Sequence, residues 1–224
     1  MPPLPEGATV VAEGLWNPGN LVFGPDGTLY IADQQNFRVR AISPDGVIDT
    51  IAGNGTGNLQ GDPGADQIAA LDSPIDWEAG SNPEPSGGLA MQGTKLYFSE
   101  TLRNRIRVID LETGMIDTVA GSIEPGYVDG DAASAQFNHP AQMDFGPDGD
   151  LYVADTNNCT IRAINLANGE VRTVVGNGTL GLDPEDGLEA TSTLLRRPFG
   201  LEFDPEGNLY VMDTINSRVL KVPR

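Results

Sequence analysis

A five-residue pattern, Leu-Tyr followed by two further residues and an acid, occurs four times and constrains the fold more than any other feature. It appears as LYIAD (29–33), LYFSE (96–100), LYVAD (151–155) and LYVMD (209–213), so the starts are 67, 55 and 58 residues apart. A proline lies eleven residues before each of these leucines: Pro18, Pro85, Pro140 and Pro198. Self-similarity at such a period is typical of repeat architectures, in which each unit buries its apolar surface against its neighbours.

Each unit has the pattern of four short strands. The third unit is QMDFG, the turn PDG, LYVAD, the loop TNNCT, IRAIN, the turn LANGE and VRTVVG. Strand-length runs rich in Val, Ile and Tyr, separated by Gly-containing turns, are typical of antiparallel hairpins. The sequence therefore predicts an all-β fold, a β-propeller of four four-stranded antiparallel blades with short helical turns in the links between blades.

The two ends of the chain complement each other. Residues 1–224 form one predicted domain, with blades at about 18–60, 85–122, 140–176 and 198–223, and the last blade stops after its third strand. Residues 8–14 (ATVVAEG) look like the fourth strand of the second blade, DTVAGS (117–122). We expect this N-terminal strand to complete the last blade, closing a monomeric ring without free edges. The alternative is an open four-blade arc that pairs with a second chain.

The repeated segments resemble those of the NHL-repeat β-propellers along nearly the whole chain. The resemblance is carried by LYVADTNNCTIRAI, IDTIAGNGTGNLQGD, IDTVAGSIEPGYVDGDAASAQFNHP and VRTVVGNGTLGLDPEDGLEATSTLLRRP. It implies the propeller fold, although four units are fewer than the six blades usual in that family. It does not select an activity, because the family includes scaffolds, sensor domains and enzymes.

Composition excludes several classes of partner. The net charge is −19, which repels phosphate backbones and argues against nucleic acid. No run approaches 18 apolar residues, so membrane insertion is not expected. A single cysteine, Cys159, excludes an internal disulfide, and one histidine with one cysteine argues against a zinc site. MPPLPEGATVV shows no signal peptide, so the chain is expected to be cytoplasmic unless such a peptide has been removed to give a secreted or periplasmic protein.

The residue before each repeated proline is the first candidate for function. We expect it to be extended, since proline disfavours the helical region for its predecessor, and to lead into the innermost strand at the pore mouth. The four blades supply an amide, a carboxylate, an imidazole and a guanidinium there, a set suited to binding an anion or moving a proton. The alternative is that each caps local backbone. These residues are Asn17, Glu84, His139 and Arg197.

A second set of polar residues follows from the ends of the second strands. Their carboxylates either accept backbone N–H bonds from the next loop, with help from Arg38, Arg105 and Arg218, or hold a metal ion together with amides along the pore. We expect no required cofactor and at most weak calcium or magnesium binding. The weak metal candidates are Asn20, Asp33, Glu100, Gln142, Asp155 and Asp213.

An insertion in one link adds two aromatic candidates. IDWEAGSNPEP (75–85) is absent from the other links and contains Trp77, while Trp16 precedes Asn17 on the same face. Exposed tryptophans there would contact a sugar, a peptide or a protein partner. The alternative is that Trp77 plugs the wider loop. Cys159 lies on the same face and reads as an incidental thiol.

Three functions remain open on the sequence. The favoured one is a binding module that recognises a protein, peptide or glycan with its variable loops and pore mouth. The second is a metal-assisted lyase or lactone hydrolase. Similarity to amidating lyases would require several histidines for zinc, and similarity to sugar-lactone hydrolases would imply a divalent ion on residues such as Glu84, Asn17, Asn20 and Asp155. The third is a shortened or engineered scaffold without a ligand.

Overall fold

The chain folds into successive antiparallel sheets. The computed structural model describes residues 7, 9–57, 65–77, 87–183 and 187–224. Blade 1 consists of β1 (Pro18–Phe23), β2 (Leu29–Asp33), β3 (Arg38–Ile42) and β4 (Ile48–Ala52). Blade 2 consists of β6 (Leu89–Gln92), β7 (Lys95–Glu100), β8 (Arg105–Asp110) and β9 (Met115–Gly121), with the short β5 (Ile68–Ala69) on its outer edge.

The other two blades follow the same order from the inside to the outside. Blade 3 consists of β11 (Pro140–Phe145), β12 (Leu151–Asp155), β13 (Thr160–Asn165) and β14 (Glu170–Val175), with β10 (Gly130–Asp131) on its outer edge. Blade 4 has three strands, β15 (Pro198–Phe203), β16 (Leu209–Asp213) and β17 (Arg218–Val222). The four-bladed β-propeller predicted from the repeats is confirmed.

The helical segments of the described residues are single 3₁₀ turns. One follows the second strand of every blade: Gln34–Asn36, Thr101–Arg103, Thr156–Asn158 and Thr214–Asn216. Two more, Ala70–Asp72 and Ala190–Ser192, lie in links between blades, where short helical turns were predicted. No helix in this part of the chain is long and apolar enough to cross a bilayer.

The core lies between blades rather than within one sheet. Three apolar clusters join blade 1 to blade 2, blade 2 to blade 3 and blade 3 to blade 4. The repeated tyrosine of one blade meets an aromatic ring at the end of the next innermost strand. Tyr97 packs edge-on against Phe145 with ring centroids 5.3 Å apart, and Tyr152 against Phe203 at 4.8 Å. Such pairs stabilise the packing by about 0.5–1.5 kcal/mol beyond their buried area.

The glycine that follows the fourth strand is required by this packing. At Gly176, φ is +85°, and a Cβ would lie 2.4 Å from the carbonyl oxygen of Cys159. A Cβ on Gly53 would likewise collide with the carbonyl oxygen of Phe37, and a Cβ on Gly121 with that of Asn104. Only glycine tolerates both the left-handed backbone and this approach, which explains why the fourth strands end in AG or VG.

The predicted closure by the N-terminal strand is wrong for the described residues. Residues 9–14 form no strand, Val10 and Val11 are 58% and 63% exposed, and β17 is the outer edge of its sheet. The N-terminal segment instead bonds to its own blade, where Asn36 Nδ2 donates to the Gly14 carbonyl at 3.1 Å. The strand-like sequence therefore lacks a partner strand within this part of the chain.

The innermost strands β1, β6, β11 and β15 surround a central channel. Successive pairs of them pack closely, whereas β15 and β1 are not among the closely packed pairs. Residues of all four strands or of their immediate flanks nevertheless line common cavities. The channel is therefore enclosed by four blades while one flank of blade 1 and one flank of blade 4 face solvent.

Candidate functional site

The four carboxylates that end the second strands are structural. Each is fully buried and accepts a backbone N–H from the segment that leads into its own innermost strand. The N–H donors to Asp33, Asp155 and Asp213 lie 2.7 Å away, and the donor to Glu100 lies 3.0 Å away. The donors are, in the same order, Trp16, Asn138, Arg196 and Asp76. The acid thus ties the entry of each blade to its second strand.

Arginines complete this buried network, although not always the predicted ones. Arg105 Nε lies 2.6 Å from Glu100, and Arg218 Nε lies 2.8 Å from Asp213, as predicted. Asp33 pairs instead with Arg40 at 3.7 Å, because Arg38 donates to the carbonyl of Asn36. The predicted Arg38 pair is therefore wrong.

Burial and charge set the protonation of Asp155. Loss of hydration raises its pKa from 3.8 to about 6, while the Asn138 N–H, the Asn158 amide and the Arg162 guanidinium oppose the shift. Arg162 is fully buried, and its Nη1 lies 2.9 Å from Asp155 Oδ2. This arrangement makes Asp155 the centre of a fixed hydrogen-bond network.

The predicted metal set is not assembled as one site. Asn20 and Gln142 line the channel, whereas Asp33, Glu100, Asp155 and Asp213 point their oxygens into loop N–H groups and arginines. Among the described residues, no group of three or more His, Cys, Asp or Glu is placed to hold a metal ion. The acids that the repeats brought to attention stabilise loops.

Three of the four residues before the repeated prolines adopt a left-handed backbone, so the predicted extended conformation is wrong for these three. The φ angles of Asn17, His139 and Arg197 are 52°, 56° and 53°. The hydrogen bond from the preceding residue to the buried acid fixes this turn, and the His139 N–H donates to Asn104 Oδ1 at 2.9 Å. Glu84 lies outside the described residues.

We predict that His139→Asn leaves stability nearly unchanged while His139→Val lowers it. Asparagine is among the residues that tolerate the left-handed region, and blade 1 already carries Asn17 there, whereas a β-branched side chain is strained. The expected cost for valine is about 1–3 kcal/mol. Urea unfolding of the two variants measures the difference. Equal losses would show that the imidazole, and not the backbone, determines the position.

These three side chains are partly or fully accessible next to the channel. Asn17 is exposed, while His139 and Arg197 are half-buried. The Arg197 guanidinium carbon lies 5.6 Å from the centroid of Phe199, which lines the channel. They directly precede β1, β11 and β15, the strands that line the channel, and their predicted meeting at one mouth stays a prediction.

The two tryptophans differ in environment. Trp77 is fully buried, its Nε1–H donates to the Ser99 carbonyl at 2.7 Å, and its ring meets Phe98 edge-on at 6.0 Å. The predicted exposure of Trp77 is therefore wrong, and its buried ring agrees with the alternative of a space-filling role. Trp16 is 61% exposed, and Cys159 is buried.

The central channel contains two cavities. The smaller, of about 170 Å³, is lined by Gly19, Asn20, Gly88, Gln142, Phe199, Gly200 and Met212. The larger, of about 570 Å³, extends toward the PDG turns, and β1, β6, β11 and Glu202 line it. The larger volume falls within the range of small-molecule sites, about 300–1,000 Å³.

Two acids that the sequence analysis did not single out share the larger cavity. Asp144 pairs across the sheet with Tyr152, and Glu202 pairs with Tyr210, so the two acids occupy the same repeat position in blades 3 and 4. Blades 1 and 2 carry Val22 and Ala90 there. Aligning the units on the repeated tyrosine would have revealed this difference.

Burial raises the pKa of both acids, and the charge of Asp144 raises the pKa of Glu202 further. Loss of hydration raises the pKa of Asp144, although the Phe145 and Phe203 N–H groups donate to it at 2.8 and 3.3 Å. Loss of hydration also raises the pKa of Glu202, and the charge of Asp144 adds to the rise. Two acids with raised pKa values in one cavity favour a ligand that donates hydrogen bonds or carries positive charge.

Comparisons with known proteins agree with the fold. Residues 137–164 match the family model for the NHL repeat. The chain is 35% identical over 112 residues to protein SUPPRESSOR OF QUENCHING 1, a chloroplastic protein of Arabidopsis thaliana, covering 50% of this chain and 11% of that one. It is 32% identical over 114 residues to NHL repeat-containing protein 2 of Homo sapiens, covering 51% and 15%.

A solved structure extends the similarity to most of the chain. An auxiliary nutrient binding protein from Bacteroides ovatus superposes with a TM-score of 0.67 at 21% identity, covering 92% of this chain and 48% of that one. The chain thus spans a small part of the curated relatives it matches and about half of this structure. At this identity the superposition shows the fold alone.

Proposed function

Because the chain carries an NHL repeat in a four-bladed β-propeller, we propose that it is a binding module whose channel takes a small polyhydroxylated ligand such as a sugar. The observation that carries the proposal is that Asp144 and Glu202 both line one cavity of about 570 Å³. Hydroxyl groups that donate to these carboxylates would replace hydration that the half-buried Asp144 has lost, and they would reach Glu202 from the open side of the cavity, where its side chain is exposed.

The rest of the lining suits the same ligand class. Asn20 and Gln142 present carboxamides, which donate and accept, and so match hydroxyl groups in both senses. Phe145 and Met91 supply apolar surface beside them, on which the C–H face of a sugar ring can pack. The similarity to a nutrient-binding protein supports a binding role and does not identify the nutrient.

The channel mouth would add selectivity. Arg197, His139 and Asn17 precede the strands that line the channel, and the exposed Trp16 lies beside Asn17. These residues lie at the end of the strands next to the smaller cavity, opposite the PDG turns, and we propose that they contact a ligand long enough to reach that end of the channel. A divalent ion is the competing occupant, since carboxylate and amide oxygens are also ligands for calcium and magnesium.

The proposal predicts that Asp144→Asn and Glu202→Gln each weaken sugar binding about tenfold or more, which corresponds to a lost hydrogen bond to a charged group. Isothermal titration with a panel of neutral mono- and disaccharides, and separately with calcium and magnesium, measures it. The matched control is Glu112→Gln, which removes the same charge from an exposed residue in an outer turn.

The outcomes separate the possibilities. Sugar binding that is weakened by the channel variants and unchanged in the control supports the proposal. If only calcium bound, and Asp144→Asn abolished that binding, the ligand of the channel would be a cation and not a sugar. No binding of any probe, or equal effects in all three variants, would contradict a ligand site in the channel.

A further inference from the structure

The solvent-facing flanks of blades 1 and 4 are two halves of the interface that joins neighbouring blades elsewhere. On blade 1, Leu21 and Phe23 are 60% and 64% exposed, and we call them the blade-1 flank. On blade 4, Met212 and Val219 are 53% and 64% exposed, and with Tyr210 they form the blade-4 flank. Large apolar side chains grouped in this way mark interaction surfaces.

Cross-strand register shows what the blade-1 flank corresponds to. Leu21 pairs with Ile31 as Met143 pairs with Val153, and Phe23 pairs with Leu29 as Phe145 pairs with Leu151. In blade 3 these positions face blade 2: Met143 is buried in that core and Phe145 packs on Tyr97. The blade-1 flank is therefore the surface with which a blade receives its predecessor.

The blade-4 flank is the complementary half. Met212 pairs with Val219 as Ala154 pairs with Ile161, and both of these blade-3 residues are fully buried against blade 4. Tyr210 stands at the position of Tyr152, whose ring packs on Phe203 of the next blade. The blade-4 flank would accordingly receive a blade that offers a phenylalanine at the position of Phe23.

The free edge of β17 adds a second complementary pair. A groove of about 530 Å³ runs along β17, where blades 1, 2 and 3 have a fourth strand. Residues 9–12 (TVVA) resemble the ends of the fourth strands TVAG (118–121) and TVVG (173–176), and their valines are exposed. Within the residues that the structure describes, neither the β17 edge nor this segment has a partner strand, and two such elements are natural partners.

The lengths are compatible with both contacts at once. The outermost and innermost strands of a four-stranded blade are three spacings apart, about 14 Å. Five residues lie between Ala12 and Pro18, which makes six Cα–Cα steps, and six extended steps span about 20 Å. A partner's residues 9–12 can therefore pair with β17 while its blade 1 packs on the blade-4 flank.

We propose that copies of this chain associate head to tail. The blade-4 flank of one copy contacts the blade-1 flank of the next copy, and the β17 edge of the first pairs with residues 9–12 of the second. A second copy is the occupant that the flanks favour, because each chain carries both halves of an interface that it already forms three times internally. The contact is heterologous, so each copy offers one half to each neighbour.

The test is sedimentation equilibrium of the 224-residue chain over a range of micromolar concentrations in moderate salt, which screens the repulsion between acidic chains. We expect the mass to rise above the 23.7 kDa of one chain. Phe23→Asp and Val219→Asp should each raise the dissociation constant about tenfold or more. The matched control is Val47→Asp, which is 53% exposed in an outer turn and should not change it.

Mixing the two variants tests the direction of the contact. The Phe23→Asp chain keeps an intact blade-4 flank and the Val219→Asp chain keeps an intact blade-1 flank. An equimolar mixture should therefore form a dimer of twice the single-chain mass and nothing larger, because the remaining flanks are blocked. A mixture that stays monomeric, or a wild-type chain that is monomeric throughout, would overturn the proposal, as would dissociation by Val47→Asp.

Two further measurements separate this proposal from the channel ligand. Leu21 and Phe23 also border the larger cavity, whereas Val219 lies on β17, outside its lining. Val219→Asp should leave ligand binding unchanged, and Asp144→Asn should leave the mass distribution unchanged. Circular dichroism of each variant confirms that it is folded, and an unfolded Phe23→Asp or Val219→Asp chain is replaced by the milder Phe23→Ser or Val219→Ser.

Discussion

Arg162→Met lowers the free energy of unfolding by about 3–5 kcal/mol, because it leaves the buried carboxylate of Asp155 without its charge partner. Arg162 is fully buried, and its Nη2 also donates to the Val128 carbonyl at 2.8 Å. Nη1 donates to the Gln136 carbonyl at 3.0 Å, so the side chain ties the link before blade 3 to that blade. Methionine retains apolar contacts with Tyr127 and Phe137 but none of these bonds. Urea unfolding at pH 7 measures the loss.

The same variant should show a distinctive pH dependence. The pKa of Asp155 in the folded protein is about 6, above its ordinary 3.8, so its contribution to stability is fully present below pH 3.8 and is lost as the pH rises through 6. Without Arg162, whose charge lowers the pKa, the folded value rises further. Protonation then relieves the buried charge, and the cost of Arg162→Met should be smaller at pH 5 than at pH 7. A cost that is constant over this range would contradict the role assigned to Asp155.

Two controls locate the effect in the buried pair. Arg172→Met removes an arginine whose side chain is 37% exposed, and it should cost about 1 kcal/mol or less. The double variant Arg162→Met with Asp155→Asn leaves no buried charge and should recover part of the stability lost in Arg162→Met. Equal losses in the single and double variants would place the cost in the link rather than in the ion pair.

Much of the fold is predictable from the sequence because the same contacts recur in every blade. The tyrosine of LYVAD packs on the next blade, and the acid at the end of LYVAD accepts an N–H from the segment before the innermost strand. Each repeat therefore carries in its own sequence the residues that make these contacts. The prediction that fails is the one that depends on how the two ends of the chain are placed. Residues 9–14 have the composition of a fourth strand, but pairing with β17 requires blade 1 to lie against blade 4, which no local pattern specifies.

The candidate site was less predictable for two physical reasons. The extended conformation of a residue before proline is a steric preference. At His139 two hydrogen bonds outweigh it and hold the turn, one from the Asn138 N–H to Asp155 and one from the His139 N–H to Asn104. Asp144 and Glu202 escape notice because their significance depends on which side of the innermost strand they lie, and register becomes certain only once the strand pairs are known.

Trp77 shows how an insertion misleads a sequence argument. An aromatic residue between two acids in a loop that the other blades lack is typical of an exposed contact. The structure instead inserts the ring between blades 1 and 2, where a Cβ on Gly87 would lie 2.9 Å from it and Ala32 lies beside it. Trp77 fills the volume that Gly87 and Ala32 leave open, so the tryptophan is part of the core.

We therefore expect Trp77→Ala to lower the free energy of unfolding by about 3–5 kcal/mol, the range for removing a buried large aromatic side chain. Trp77→Phe should cost less, because it retains most of the ring volume and loses the Nε1–H bond to the Ser99 carbonyl, worth about 0.5–1.5 kcal/mol. Trp16→Ala is the matched control: that side chain is 61% exposed, and its removal should change stability by about 0.5 kcal/mol or less. Fluorescence gives an independent readout, since acrylamide should quench Trp16 strongly and Trp77 weakly. If Trp77→Ala left stability intact but weakened ligand binding, the ring would belong to the binding surface after all, and the channel would no longer be the preferred site.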